Sequence, residues 1–520
     1  MLSRKAPHPL DGEKKGRGSK CAGSVRSTCR RAALFWTRGV EPLGRLRGRA
    51  LGWCGALGVL LLFVLPAPSL PHADGDVLPR YRALYEELEH AVQMFARRVS
   101  KRRAGTPIFG AELLPANAHR GSALLQPHAR HGVVRYLDAL RALGVQGVKI
   151  SIGYPRLSED DPQREAYLAF YRDVVREIRR RGMRVLIGTG VLIPDETMGV
   201  GPYAGMTLER YREARRQLAR TIARELRPDY LTIANEPTTE ARAIGLYQLA
   251  EVKEYLRLVQ VVLEGLADVR AGIHIGAGAG NWESVEFIRR YAKMEGVDYV
   301  DIHVYPITFG LLDRAAQMVR LARAHHKPVI IGEAWLYKAS RSELRWGAAS
   351  GPIFARDVFS FWAPLDQKFI EALVRWAAAE VIEFLSFFWS TYLFAYLDYT
   401  PAHEPLSPAR LLQLADAAAA ENISRGAMSP TGAYYRALIA GYTSMRSRPS
   451  ETLGVAPRER GKRYVANAPS SEGAGGRAAC DFERAKSPSS QVTITLRFAE
   501  RGMTRNTWRF RPLPPDLERG

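Results

Sequence analysis

Between Cys54 and Cys480 the chain has no cysteine. The other two, Cys21 and Cys29, also lie near the start, so the long middle of the protein holds neither a disulfide scaffold, nor a thiolate metal site, nor a cysteine nucleophile. The chain also lacks H-E-x-x-H and any comparable spacing of metal ligands. The first apolar run ends Phe109-Gly-Ala-Glu-Leu-Leu-Pro115 and carries no G-x-G-x-x-G turn, which argues against an open, dinucleotide-binding sheet. Acidic residues are scarce at both ends. Residues 1–73 hold 13 Lys/Arg against 3 Asp/Glu, and residues 446–520 hold 15 against 8. The ends thus supply +10 and +7 of the net charge of +22, and the body is only mildly basic. The excess charge is therefore no nucleic-acid footprint on the fold.

What is present falls into three parts. Residues 1–73 join a basic, Gly-rich stretch to an uncharged run over 51–70 and a small-residue exit. These are the parts of a secretory signal, and the length of the run also fits an uncleaved anchor. Either reading places the body outside the cytoplasm, secreted or periplasmic if cleaved and membrane-attached through 51–70 if not. Residues 446–520 are rich in Ser, Gly, Pro and Arg and read as a basic, low-complexity, disordered tail.

The body, residues 74–445, opens with an amphipathic helix over 78–103 that carries Leu84, Leu88, Val92 and Phe95 on one face. Eight short apolar runs follow, at 107–113, 147–152, 183–189, 230–234, 272–277, 299–304, 328–331 and 381–389. Helical periods alternate with them near 129–143, 162–181, 207–227, 241–267, 282–294, 311–325 and 367–380, with a last one from 407 to 420 or beyond. Eight strands alternating with helices predict an α/β fold, a closed (β/α)8 TIM barrel.

Such a barrel gathers its strand ends into one site at the C-terminal face. Two glutamates stand at those ends: Glu236 in Tyr230-Leu-Thr-Ile-Ala-Asn-Glu-Pro237 and Glu333 in Pro328-Val-Ile-Ile-Gly-Glu-Ala-Trp335. Paired carboxylates are what hydrolysis of a glycosidic bond needs, one to protonate the leaving oxygen and one to attack or stabilise the sugar cation. Asn235 is placed to bond a sugar hydroxyl, Tyr305 to donate to Glu333, and Gly332 to admit close backbone approach.

These motifs resemble the clan of retaining glycoside hydrolases on the (β/α)8 barrel that includes cellulases, mannanases and galactanases. The resemblance covers residues 105–440. It implies Glu236 as acid/base, Glu333 as nucleophile, Asn235 as the asparagine before the acid/base, His303 and Tyr305 as the His-x-Tyr of the sixth strand, and Trp389 as the tryptophan of the eighth. It also implies a β-linked carbohydrate substrate, double displacement, and no metal or other cofactor. One departure is that many members carry an arginine near the end of the second strand, where Lys149-Ile-Ser-Ile-Gly-Tyr154 stands instead.

Trp335 and Trp389, with Trp282 and Tyr154, lie at or just after strand ends and are candidates for stacking on sugar rings. Glu112 and Asp195 read as solvated loop carboxylates, His274 as a core residue, and His325 and His326 as residues of the opposite face. The segment 337–366, with Trp346, Phe354, Phe359 and Trp362, is expected to wall the cleft. The alternatives are a non-hydrolytic carbohydrate-binding or polysaccharide-assembly barrel, and a transglycosidase acting through the same intermediate.

Overall fold

The computed structural model describes residues 77–193, 203–346 and 350–444. The signal or anchor segment, the tail and Asp195 lie outside these residues. Among the described residues no helix is long and apolar enough to cross a membrane.

Eight parallel strands form a closed barrel in chain order. They are β1 (Ile108–Glu112), β2 (Gly147–Tyr154), β3 (Arg184–Val191), β4 (Tyr230–Thr232), β5 (His274–Gly280), β6 (Tyr299–Val304), β7 (Val329–Ala334) and β8 (Phe384–Phe387). β8 pairs back onto β1, Phe384 opposite Ile108 and Phe387 opposite Ala111, which closes the sheet and removes its edges. Leu186, Tyr230, Tyr299, Ile330 and Phe384 pack together in a small core of their own, apart from the large core between strands and helices.

The helices are α1 (Pro79–Arg98), α2 (Ala129–Ala142), α3 (Arg164–Arg180), α4 (Leu208–Glu225), α5 (Pro237–Ile244), α6 (Val252–Leu266), α7 (Val285–Tyr291), α8 (Leu311–Ala324), α9 (Arg341–Trp346), α10 (Ser350–Phe354), α11 (Ala363–Ala379), α12 (Pro408–Ser424) and α13 (Pro430–Thr443). In α1 the four apolar residues of the expected face are the buried ones, and Phe95 meets Trp376 of α11 edge-on at 5.5 Å. Burial of each such side chain contributes about 2 kcal/mol.

The expected helix over 241–267 is two helices. Gly245, at φ 75°, ends α5 in the left-handed conformation that favours glycine, and a short turn leads into α6. The last helical stretch is likewise divided. α12 ends before Gly426, at φ 68°, and α13 restarts with Ser429 capping the backbone N–H of Gly432 and Pro430 in the first turn.

Two further expectations change. His274 is exposed at the start of β5, where its ring stacks on Tyr230 at 5.4 Å, so it is a rim residue of the N-terminal face and not core. In the segment 337–366, Phe359 and Trp362 are buried. Lys338 pins this segment inward, with its ammonium 2.7 Å from both Asp357 and Asp366, all three buried. Phe354 is half-buried and rests against Trp389 with ring centroids 5.0 Å apart. The side chain of Trp346 lies outside the described residues.

Candidate active site

The charged residues of the barrel interior sit among apolar strand neighbours. Glu112 ends β1, Lys149 lies opposite it on β2, Asp301 and His303 are two apart on β6, and Glu333 lies near the end of β7. Lys149 is fully buried, with two hydrogen-bond acceptors and a second carboxylate at ion-pair distance. Its Nζ donates to Glu333 Oε1 and to Ser151 Oγ at 3.0 Å, and lies 3.5 Å from Glu112 Oε2. Room for this side chain comes from β3, where a Cβ on Gly188 would stand 2.9 Å from Lys149 Cε.

Glu333 reaches its position through an irregularity of β7. Asp301 pairs with Ile330 and His303 with Glu333, so two steps on β6 match three on β7, and the pairing with β8 skips in the same place. Ile330 belongs to the small inner core and Ile331 to the large outer one. Strict alternation would turn Glu333 to the outer side, and the extra residue returns it to the mouth. Gly332 at this bulge has no side chain to spare, because a Cβ would meet both Asp301 carboxylate oxygens at 2.5 Å. Asp301 instead accepts from the Gly332 N–H at 2.7 Å and from Thr232 Oγ1 at 2.8 Å.

The other Glu333 oxygen accepts from Tyr305 OH, and His303 Nδ1 lies 3.6 Å away. Burial pushes the Glu333 carboxyl upward, but the Lys149 ammonium, His303 and the donated hydrogen bonds outweigh it and hold the group at about 2. Burial raises Tyr305, and the neighbouring carboxylates raise it further, so the phenol keeps the proton it donates. Burial also raises Glu112, against the pull of Lys149. Glu112 Oε1 accepts from Asn117 Nδ2 at 3.1 Å and from the Ser151 N–H at 3.2 Å. The expected solvated carboxylate is thus a fully buried member of the site, because the loop after β1 folds Asn117 over it.

Glu236 follows β4, whose pairing runs on to Ala234 through the Gly278 N–H at 2.7 Å. Its Oε1 is 2.8 Å from His303 Nδ1. Burial lowers the His303 imidazole, while Glu333, Asp301 and Glu236 raise it to about 10, so it is a cation that donates from Nδ1 to Glu236. One oxygen each of Glu236 and Glu333 and one nitrogen of His303 all lie within 4.8 Å of one another. By distance these three groups are also what a metal ion would require. Lys149 and Tyr305 already bond both oxygens of Glu333, so the charge an ion would neutralise is met by the protein.

The segment bearing Glu236 is held through its backbone. Arg215 of α4, buried, donates to the carbonyl of Ile233 at 2.8 Å and to Thr189 Oγ1 at 3.2 Å, and pairs with Glu240 of α5. Tyr211 and Tyr255 complete the acceptors of Glu240 at 2.6 and 2.9 Å. Glu283, from the loop after β5, caps α5 from outside, accepting from the N–H and Oγ1 of Thr238 at 2.9 and 2.7 Å. Burial lifts its carboxyl to about 7 against those two bonds.

Of the residues expected at the site, Glu236, Glu333, His303 and Tyr305 come together. Asn235, half-buried, directly precedes Glu236, and its Oδ1 is buried with no hydrogen-bond donor among the described residues. Trp389 is half-buried beside Phe388, whose ring is 6.0 Å from both Tyr305 and Lys149 Nζ. Trp282 is half-buried with its ring 6.2 Å from Tyr305. Trp335 is a correction. It is 1% exposed, packed on Phe387 and Tyr392 under the turn after β8, and has no face open to a sugar. Tyr154 is likewise buried, here against Tyr203 and against Tyr211 of α4.

Glu112, Lys149, Asp301, Arg215, Glu240 and Glu283 were not among the expected site residues, and Lys149 entered only as the first residue of the run 149–154 that departs from the resemblance. The period-2 face Tyr299, Asp301, His303, Tyr305 in an otherwise apolar strand carried the signal for Asp301.

No protein-family model matches the chain, and no curated protein matches it. Solved structures similar to it include an exo-β-1,4-mannosidase, Op5Man5, from Opitutaceae bacterium strain TAV5, at 14% identity and TM-score 0.40 over 68% of this chain and 63% of that one. A glycoside hydrolase family 5 mannosidase from Rhizomucor miehei matches at 14% identity and TM-score 0.37, over 62% of this chain and 95% of that one. The GH53 catalytic domain of Ignisphaera aggregans matches at 17% identity and TM-score 0.33, over 50% and 77%. This chain therefore spans less than two thirds of the length of the first of them. The assignment as a closed eight-stranded parallel barrel stands on the strand pairing itself.

Proposed function

We propose that this protein is a retaining glycoside hydrolase that cleaves a β-linked oligo- or polysaccharide, with Glu236 as acid/base and Glu333 as nucleophile. The observation that carries this reading is that one oxygen of Glu236 lies within 4.8 Å of one oxygen of Glu333 at the barrel mouth. Double displacement needs carboxyl groups about 5 Å apart, whereas inversion needs about 6.5–9.5 Å to admit a water.

In the first step Glu333 attacks the anomeric carbon as its bond to the leaving oxygen breaks, and Glu236 gives that oxygen a proton. In the second, Glu236 takes a proton from water, the oxygen of that water bonds to the anomeric carbon, and Glu333 departs. Lys149, His303 and Tyr305 keep Glu333 ionised for the attack. Asn235, half-buried directly before Glu236, is the residue assigned to bond a sugar hydroxyl.

The test is sugar release by the full chain from β-glucans, mannans, galactans and xylans, with the anomer formed first read by proton NMR. Glu333→Ala is expected to abolish release while circular dichroism stays unchanged. Near-normal turnover in that variant, or an initially inverted product, defeats the assignment. Export through residues 51–70 belongs to the same proposal and is supported by the basic flank before an uncharged run. Cell fractionation with and without that segment tests it, and a cytoplasmic location in both cases defeats it.

A further inference from the structure

Asp301 takes no part in the two chemical steps above, yet it is fully buried on β6, two residues before His303. A carboxylate in such a place is costly unless its oxygens are bonded. Both are. Oδ1 accepts from the Gly332 N–H of β7 at 2.7 Å, and Oδ2 accepts from Thr232 Oγ1 of β4 at 2.8 Å. Thr232 has one hydroxyl proton, which goes to Asp301, so the Tyr299 OH 2.8 Å from its oxygen is the donor there. Tyr299, Thr232 and Asp301 form one directed chain that ends on the Gly332 N–H.

Gly332 lies in the stretch of β7 that the pairing skips on both sides. A Cβ there would meet both Asp301 oxygens at 2.5 Å, so the carboxylate fills the space that a side chain at 332 would take. It also bonds the backbone N–H that the bulge presents to it. Without that acceptor a buried N–H loses its partner, and regular alternation, which turns Glu333 outward, becomes the better-bonded arrangement. Glu333 follows directly, with its oxygens on Lys149 and Tyr305.

Asp301 also faces His303, but less closely. Its Oδ2 is 3.8 Å from His303 Nε2, beyond hydrogen-bond reach, while Nδ1 of that ring is 2.8 Å from Glu236. The hydrogen-bonded route from Asp301 thus leads to the segment of Glu333, and only a longer approach leads toward Glu236.

We propose that Asp301 is the positioning residue of Glu333: by holding the Gly332 N–H it maintains the β7 bulge that turns Glu333 into the pocket. The inference rests on the glycosidase reading for its kinetic consequence, and on the geometry of β7 for its structural one.

The experiment compares the full chain with Asp301→Ala and Asp301→Asn by crystal structure and by steady-state kinetics, assayed well below the melting temperature of each. Substrates are activated aryl β-glycosides and β-glycosides with poor leaving groups. Asp301→Ala is expected to lower kcat about 10²-fold with KM changed less than about twofold, as displacement of a reacting group does. The loss is expected to be equal on both substrate classes, since the nucleophile serves both. Its crystal structure is expected to show Glu333 away from Lys149 and Tyr305. Asp301→Asn keeps an oxygen for the Gly332 N–H and is expected to restore the position of Glu333 and most of kcat.

Glu333 still bonded to Lys149 and Tyr305 in Asp301→Ala overturns the proposal. So does a loss confined to poor leaving groups, which would mean that Asp301 acts on Glu236 through His303. If Asp301→Ala does not fold, Asp301→Asn decides: full loss of kcat with Glu333 in place overturns the proposal, because charge and not the bond to Gly332 is then what counts. If the parent hydrolyses none of the substrates, the glycosidase reading falls, and the position of Glu333 in the variant structures still decides whether Asp301 sets it.

Discussion

Glu333 and Glu236 face each other across one pocket and are held in opposite ways. Glu333 is on a strand, with its side chain 10% exposed, Lys149 and Tyr305 bonded to its two oxygens and His303 Nδ1 3.6 Å away. Glu236 is on the loop after a strand, with its side chain 22% exposed and His303 as its hydrogen-bond partner among the described residues. What fixes Glu236 is indirect: Arg215 on the carbonyl of Ile233, the Arg215–Glu240 pair behind it, and Glu283 on the next helix. The difference follows the work proposed for each. A nucleophile must stay charged, and surrounding cations and donors achieve this at the cost of its freedom. An acid/base must both hold and release a proton; Glu236 has His303 as its direct partner among the described residues, and the rest of its positioning comes through the backbone.

This contrast can be broken first at Glu236. Glu236→Ala is expected to lower turnover about 10²- to 10⁴-fold on substrates with a poor leaving group and far less on activated aryl glycosides, which need little protonation. Steady-state kinetics across a leaving-group series checks it, and a uniform loss would place Glu236 outside the acid role.

The nucleophile side is sharpened by a pair of variants with opposed signs. In the parent, Glu333 is held at about 2, so its ionised form, and the activity that depends on it, is lost only as the pH falls toward 2. Lys149→Met removes the main attraction and leaves burial to act, so the acid limb of kcat/KM is expected to move up by about one to three pH units. Lys149→Arg is expected to restore most of it. Glu112→Gln, the smallest effect, removes a competing carboxylate, and the acid limb is expected to stay or move slightly down. A shift upward in Glu112→Gln would mean that Glu112 is needed to hold Lys149 in place.

The barrel was legible because its eight apolar runs and the helices between them repeat, and the strand boundaries fall within a few residues of the expected ones, whereas the helix breaks at Gly245 and Gly426 were not foreseen. Glu236, Glu333, His303 and Tyr305 were legible because strand ends converge at one face, whatever the details of packing. The aromatics were not. Trp335 and Trp389 occupy similar places at the ends of strands, yet the turn after β8 folds over Trp335 and leaves Trp389 half-covered. Nothing local distinguishes them, because the element that covers one of them is some fifty residues away in the chain. Glu112 was misjudged for the same reason, since a carboxylate at a strand end is solvated unless a loop such as that of Asn117 closes over it.

The sequence by itself determined the alternation of strands and helices and the two carboxylates, since period and chain order are local properties. Tertiary structure alone decided which way Glu333 points. The bulge at Gly332 shows only in the pairing of β7 with both neighbours, and it carries Glu333 from the side that alternation would assign to the pocket it shares with Glu236. It also decided the state of that carboxylate. A charge buried among Lys149, His303 and Tyr305 takes its properties from groups that meet only when the barrel closes.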